Sequence, residues 1–409
     1  MPEKNAVILL FGTRLLSALG IAVVLPVLPR IAASFHLSAT QAGWVLVSFT
    51  IAEAVMTPVA GVLSDRFGRK IVLLPALLVF ALGGILGAFA RTLPELIACR
   101  VLQGLGAGPL GVLYTILAAD MYDDEHLPRV MGLITATGSI ATVIFPIVGG
   151  ILGEWNQQWP FWTLALALPV AALGLTVPLK QGLPHMDWKA YAGETRKIIA
   201  NRRALDLFIL FFLGYGIMYG PMNAYFPMMA ELRYHASPSR IGVVFSLVAA
   251  GSFIASDNLT RLHKKGISFH KLMLTGALCY LISMIWLLIR DATPSLWWCA
   301  PPLLINGAAQ GLTIPIINDT VATLAPSGNR AAVLAVSETF VRSSQSASPP
   351  VFGLGWSALG WTGPYLMGIV SSLLMGAIMI KAAPTAAYSV KDPDGRSASA
   401  RPPRSGGPR

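Results

Sequence analysis

Five ionisable residues lie inside long apolar runs of this 409-residue chain: Arg14, Glu53, Arg100, Glu338 and Arg342. Each costs at least about 2.5–3.5 kcal/mol to hold in hydrocarbon on insertion scales, so each needs a partner or a task. A carboxylate there can take up and release a proton, and an arginine can hold it in place. Arg14 lies roughly 14 Å into its run at about 1.5 Å per residue, and Glu53 roughly 12 Å into the next. The matching depths predict an Arg14–Glu53 pair between neighbouring helices. Such a pair either locks the two helices together or makes Glu53 a group that exchanges a proton as a cavity switches sides. Glu338 and Arg342 are spaced i, i+4 in the favourable acid-first order; they read as mainly self-neutralising, with a coupling role as the alternative.

A second constellation falls between two apolar runs. From Gly61 the chain reads Val-Leu-Ser-Asp65-Arg66-Phe-Gly68-Arg69-Lys70, with four charges of both signs between Asp65 and Lys70 in a chain that is 12% charged overall. This reads as a loop in water between two membrane helices. Softer candidates come from helical spacing. Tyr215, Tyr219, Asn223 and Phe226 are four, four and three residues apart and share a face; Asn306, Gln310 and Thr313 do likewise, and Tyr114 belongs to another polar-aromatic position. Such stripes suit an amphipathic organic ligand, with helix packing as the plain alternative. Met218, Met222, Met228 and Met229 would give that face an adaptable apolar wall, or simply fill a core.

The elements that must carry these residues follow from composition. The chain is 55% hydrophobic, against about 45–50% apolar and about 25% charged in a soluble domain. A bilayer core needs about 20 apolar residues per helix. Runs at about 5–28, 40–61, 71–90, 95–118, 130–151, 160–179, 205–228, 240–258, 268–289, 296–317, 331–353 and 361–381 predict twelve spans of an all-α membrane protein. The first run carries Arg14 and no small-residue cleavage site, so it reads as a retained helix. Of the 30 Lys and Arg residues, 22 fall on the side of the charged loop, 5 opposite and 3 within spans. Both termini and the loop are therefore expected in the cytoplasm. Trp155, Trp159, Trp162, Trp297, Trp298, Trp356 and Trp361 mark the other face as an aromatic belt.

Several functions drop out. The net charge of +11 is an orientation signal here and points to lipid, not to nucleic acid. Cys99, Cys279 and Cys299 fall in apolar runs without metal-ligand spacing, and the six histidines lie in or beside loops, so no metal or other cofactor is expected. No phosphate-binding loop and no nucleophile–base pairing is present, so an enzyme is not expected.

The two halves repeat with an offset near 200: Pro29 and Gly43 match Pro227 and Gly242, Pro94 matches Pro294, Gly106-Ala107 matches Gly307-Ala308, Asp120 matches Asp319, and Arg129 matches Arg330. The organisation is thus 1–180 as one six-helix half, 181–204 as a cytoplasmic linker, 205–381 as the other half and 382–409 as a disordered tail rich in Pro, Gly, Ser and Arg. A parallel repeat places a substrate site near the midplane between the halves.

These residues also resemble a known family. The Gly61–Lys70 stretch resembles motif A of the major facilitator superfamily, between helices 2 and 3. Arg100-Val-Leu-Gln103-Gly104-Leu-Gly106 resembles its motif B. Gly20-x5-Pro26-Val-Leu-Pro29 and Pro146-Ile-Val-Gly149-Gly150 are similar to motifs of the drug:proton antiporter branch with twelve spans. There are three departures: Phe145 stands where motif C has its first glycine, removing a close-packing residue; Ser17 stands where tetracycline-type exporters carry an acid; and only a remnant of motif A survives at Asp257 to Gly266. The resemblance implies the major facilitator fold and alternating access. It makes Gly61, Asp65, Arg66, Gly68, Arg69 and Asp120 a conformational switch, with Asp65 capping the start of helix 11 and Arg69 paired to Asp120. Lys70 is read as an orientation signal only. Arg100 is given a part in proton transfer, with a structural bond to a carbonyl as the alternative. Ser17, Gln103, Tyr114, Tyr215, Tyr219, Asn223, Phe226, Asn306 and Gln310 are the candidate substrate contacts. The expected function is proton-driven efflux of a small organic compound by a monomer; the alternatives are uptake or uniport, or a sensor on the same fold.

Overall fold

In a computed structural model the chain is built of helices, described over residues 4–123, 125–179, 202–289, 295–323 and 330–381. The expectations for the 181–204 linker up to residue 201 and for the tail lie outside the described residues. The membrane helices are α1 (Lys4–Ser34), α2 (Ala39–Phe67), α3 (Arg69–Phe89), α4 (Leu93–Met121), α5 (Leu127–Trp155), α6 (Trp159–Thr176), α7 (Ala204–Tyr234), α8 (Pro238–Lys264), α9 (Phe269–Leu288), α10 (Ala300–Thr323), α11 (Arg330–Leu359) and α12 (Thr362–Lys381). Ten of them are long and apolar enough to cross a bilayer. The remaining two, α10 and α11, interrupt their apolar sequence with Asn306, Gln310, Glu338 and Arg342, four of the site candidates.

Local chemistry sets the boundaries. Ser38 and Gln41 form a reciprocal capping box at the start of α2, Thr92 accepts from the Glu95 amide at the start of α4, and Ser268 caps α9. At the other polarity, Arg30 donates to the carbonyls of Gly153 and Glu154 at the end of α5 at 2.7 and 2.9 Å. Lys70 donates to Leu175 O at 2.5 Å at the end of α6. Lys70 thus holds a helix end in addition to its charge bias, which the sequence reading had not assigned.

The repeat is visible in backbone as well as sequence. Gly68 ends α2 with φ +99°, and Gly266 ends α8 with φ +90°. His36 and His235 are both left-handed, one after α1 and one after α7. Packing repeats too: α4 packs on α2 and α3, and α10 packs on α8 and α9. Glycines make these crossings close, since a Cβ on Gly104 would collide with Phe49 O and one on Gly307 with Val248 O.

The halves meet along α2 with α11 and α5 with α8. At the end far from the basic turn this contact is backbone on backbone: a Cβ on Gly150 would strike the Pro238 carbonyl, and one on Gly242 the Pro146 carbonyl. Close packing therefore survives the Phe145 departure, because Gly242 of the opposite helix supplies the space. Ser239 Oγ also donates to Glu154 Oε1 at 2.6 Å across this seam. At the basic end, among the described residues, a Cβ on Gly61 or Gly132 would meet nothing within 4 Å.

Candidate functional site

The charged stretch is not the loop its composition suggested. Helix α2 continues through Phe67, so Gly61, Asp65 and Arg66 lie on its last turns, and the turn itself is Gly68 alone. One residue suffices because its φ of +99° and ψ of 153° reverse the chain in a region open essentially to glycine. Arg69, the first residue of α3, then faces back. It forms an ion pair with Asp65, donates to Ser64 Oγ at 2.7 Å, and donates to Asp120 Oδ2 of α4 at 2.9 Å. The expected Arg69–Asp120 pair is present. Asp65 is half exposed on Arg69; its expected contact with the start of α11 involves residues outside those described. Arg66 is exposed, its guanidinium 5.2 Å from the Phe67 ring.

At the centre the expected Arg14–Glu53 pair is absent. Glu53 is 5% exposed and pairs instead with Arg342 of α11, Oε1 to Nη1 at 2.7 Å. Arg342 also lies 3.8 Å from Glu338, whose side chain is 58% exposed, and donates to Gln345 Oε1 at 3.2 Å. One arginine thus serves two carboxylates, one sealed and one accessible. The correction has a simple geometry. Depth along a helix follows from residue count, but the direction a side chain faces does not, and Glu53 points across the seam between the halves. Helices α2 and α11 run antiparallel, and their contacts step inward: Thr40 to Ser357 at 3.1 Å, Thr50 to Ser346 at 3.4 Å, then Glu53 to Arg342.

Arg14 turns the other way, towards α4 and α5. Its guanidinium stands 5.0 Å from the Tyr114 ring centroid and donates to Ser17 Oγ at 3.1 Å. Gly111, one helical turn before Tyr114, faces the ion pair: its Cβ would stand 3.5 Å from Arg342 Nη2 and 3.8 Å from Glu53 Oε1. Arg14 and the pair therefore border the same stretch of α4.

Arg100 is fully buried among neutral groups, with Nε and Nη1 bonded and Nη2 left without a partner. It donates to Val45 O (3.1 Å), Gly20 O (2.9 Å) and Gln103 Oε1 (2.6 Å), and stacks 4.5 Å from the Phe49 ring. This tie between α4, α2 and α1 is the carbonyl-bonded alternative weighed from sequence, and it closes Gln103 off as well.

Helix α7 departs from regular geometry. Met218–Tyr225 forms wide π turns around Pro221, so the even spacing of the aromatic stripe no longer keeps one face. Tyr215 and Tyr219 remain within electrostatic reach of Arg342 and Glu338, and Asn223 is 4% exposed. Phe226 instead packs inside the second half, 6.1 Å from Phe245. Tyr225, absent from the sequence candidates, takes the bridging place. It donates to Pro349 O at 2.7 Å, stacks on Trp356, and its hydroxyl would stand 3.5 Å from a Cβ on Gly43 of the other half. Asn306 and Gln310 bond each other at 3.2 Å and leave Asn306 Nδ2 buried without a partner. A separate apolar cleft of about 290 Å³ between α7, α11 and α12 is lined by none of the candidates.

No group of metal-ligating residues forms among the described residues. Two six-helix halves that meet around buried charge at mid-depth define the class of a membrane transporter. The family model of the Major Facilitator Superfamily matches residues 10–349, and the chain belongs to that superfamily. It is similar to Multidrug resistance protein 1 of Bacillus subtilis (strain 168), 27% identical over 250 residues, covering 60% of this chain and 64% of that protein. It is also 34% identical over 165 residues to the Bacillibactin exporter of the same organism, covering 39% of this chain and 41% of that one. The chain thus spans less than two thirds of these relatives. Among solved structures, a nucleoside transporter superposes with a TM-score of 0.74 at 14% identity, over 92% of this chain and all of that one. A D-xylose–proton symporter gives 0.72 at 17%, over 91% and 96%. These two likenesses concern the fold.

Proposed function

We propose that this chain is a secondary active transporter of the cytoplasmic membrane that exports small amphipathic organic compounds in exchange for protons, with the basic end and both termini in the cytoplasm. The observation that carries this reading is the Glu53–Arg342 ion pair, 2.7 Å long and joining the two halves at mid-depth. When the Glu53 carboxylate takes a proton it becomes a neutral acid and its attraction to Arg342 falls. Arg342 keeps Glu338, which lies on its own helix at 3.8 Å. Protonation thereby weakens a link between the halves without stranding a cation, and the halves become free to rock about the far-end seam. The Asp65–Arg69–Asp120 network ties α2, α3 and α4 at the basic end and transmits the motion of α2.

The relatives named as exporters support the direction. The test uses inside-out vesicles under an imposed pH gradient, screening compound classes for substrate-induced proton flux with a pH-sensitive dye. Efflux-type exchange is the expected result, with Glu53→Gln folded but uncoupled. Proton and substrate moving together would replace exchange with symport. Absence of flux for every class, with the protein folded, removes the transport reading.

A further inference from the structure

Three arginines lie within the spans, and they are compensated very differently. Arg342 has two carboxylates, and Arg100 is fully buried among carbonyls. Arg14 has neither: among the described residues its contacts are the Ser17 hydroxyl and the face of Tyr114, and its side chain is partly exposed. The five ionisable groups carry three positive and two negative charges, and both negative charges are claimed by Arg342. Among the described residues Arg14 is the partly exposed cation that has no carboxylate against it. An intramembrane cation without a counter-ion is costly unless a pathway or a ligand supplies the compensation.

The surroundings seat this guanidinium rather than merely tolerate it. Position 138 of α5 is glycine, and a Cβ there would collide with the Arg14 guanidinium. Ser17 accepts from Nη1, which fixes the plane of the fork. Tyr114 lies beneath it, its ring centroid 5.0 Å from the guanidinium carbon.

We infer that Arg14 is the anion-binding residue of the transport cavity, and that the substrates carry a carboxylate or similar monoanionic group on an aromatic or apolar body. The fork of Arg14 takes the anionic group, and Tyr114 offers its face to the body. This inference rests on the reading that the cavity carries an organic substrate, but not on the direction of proton coupling.

The experiment measures equilibrium binding to the purified full-length chain in lipid nanodiscs, without a gradient, using 1-naphthoate, its neutral amide 1-naphthamide, and the cation 1-naphthylmethylamine. Naphthoate is expected to bind at least about tenfold more tightly than the amide, the difference of one charge-assisted contact. Arg14→Gln should erase that preference, Arg14→Lys should retain part of it, and Gly138→Ala should lower it by displacing the guanidinium, which covers the case in which Arg14→Gln does not fold. Equal or tighter binding of amide or amine, an unchanged preference in folded Arg14→Gln, or no binding of any of the three overturns the inference. So does competition by phosphate or chloride as effective as that by naphthoate, which would make the site one for inorganic anions. Vesicle flux reads transport separately, so naphthoate binding without flux would fault the transport reading and leave the site standing.

Discussion

Arg100 and Glu53 show how differently a buried charge can be used. Arg100 ties three helices through carbonyls, so its loss is a loss of structure. Replacing it with Leu removes two charge-assisted bonds, to the carbonyls of Val45 and Gly20, at about 1.5 kcal/mol or more each. The expected outcome is a lower unfolding midpoint in detergent, seen by intrinsic fluorescence, with Arg100→Lys intermediate because a single ammonium cannot span the same acceptors. Glu53→Gln should do the opposite: the amide still accepts from Arg342, the unfolding midpoint stays near wild type, and the pH dependence of transport flattens. The ionisable residues themselves were legible from sequence, because charge in an apolar run stands out. Their pairing was not. Arg14 and Glu53 share a depth, yet one faces α5 and the other α11, and nothing in residue counting carries that rotation.

Helix existence was legible throughout, since each apolar run is long enough to span and is punctuated by Pro, Gly or a capping Ser or Thr. Helix ends were less so. Asp65 and Arg66 looked like loop because they are charged, but amphipathic last turns that reach into water are charged too. The real turn is one glycine, and Gly68→Ala should cost about 1–3 kcal/mol through backbone strain, measured as a drop in folded yield and unfolding midpoint. The π segment of α7 was illegible for another reason: a wide turn adds a residue without changing composition, so the face shifts from Phe226 to Tyr225. Tyr225→Phe keeps the ring on Trp356 but deletes the bond to Pro349 O. A loss of about 1 kcal/mol should loosen the far-end closure, raising the labelling rate of a cysteine placed at Thr40 by a membrane-impermeant maleimide.

At the scale of the whole molecule, the repeat in sequence announced two equivalent halves, and the paired turns at Gly68 and Gly266 bear this out in backbone. What the repeat cannot announce is the state in which the halves stand, because that depends on contacts between them. Here they are tight at the far end, and among the described residues a Cβ on Gly61 or Gly132 meets nothing within 4 Å. A Cβ at Gly61 meets no atom of the described residues within 4 Å, so Gly61→Leu should fold normally. If transport requires the basic end to close on α2, the variant should be held in this state with transport strongly reduced, detected as one-sided maleimide accessibility.

The seam at Gly150 and Gly242 also bears on temperature. Backbone packed on backbone contains no rotamers, so parting it forfeits dispersion contacts and returns little side-chain entropy in exchange. A seam of long side chains would be loosened by warming through the freedom it regains; this one is not. The far end should therefore open against a largely enthalpic barrier, and turnover should fall steeply on cooling while substrate affinity changes little.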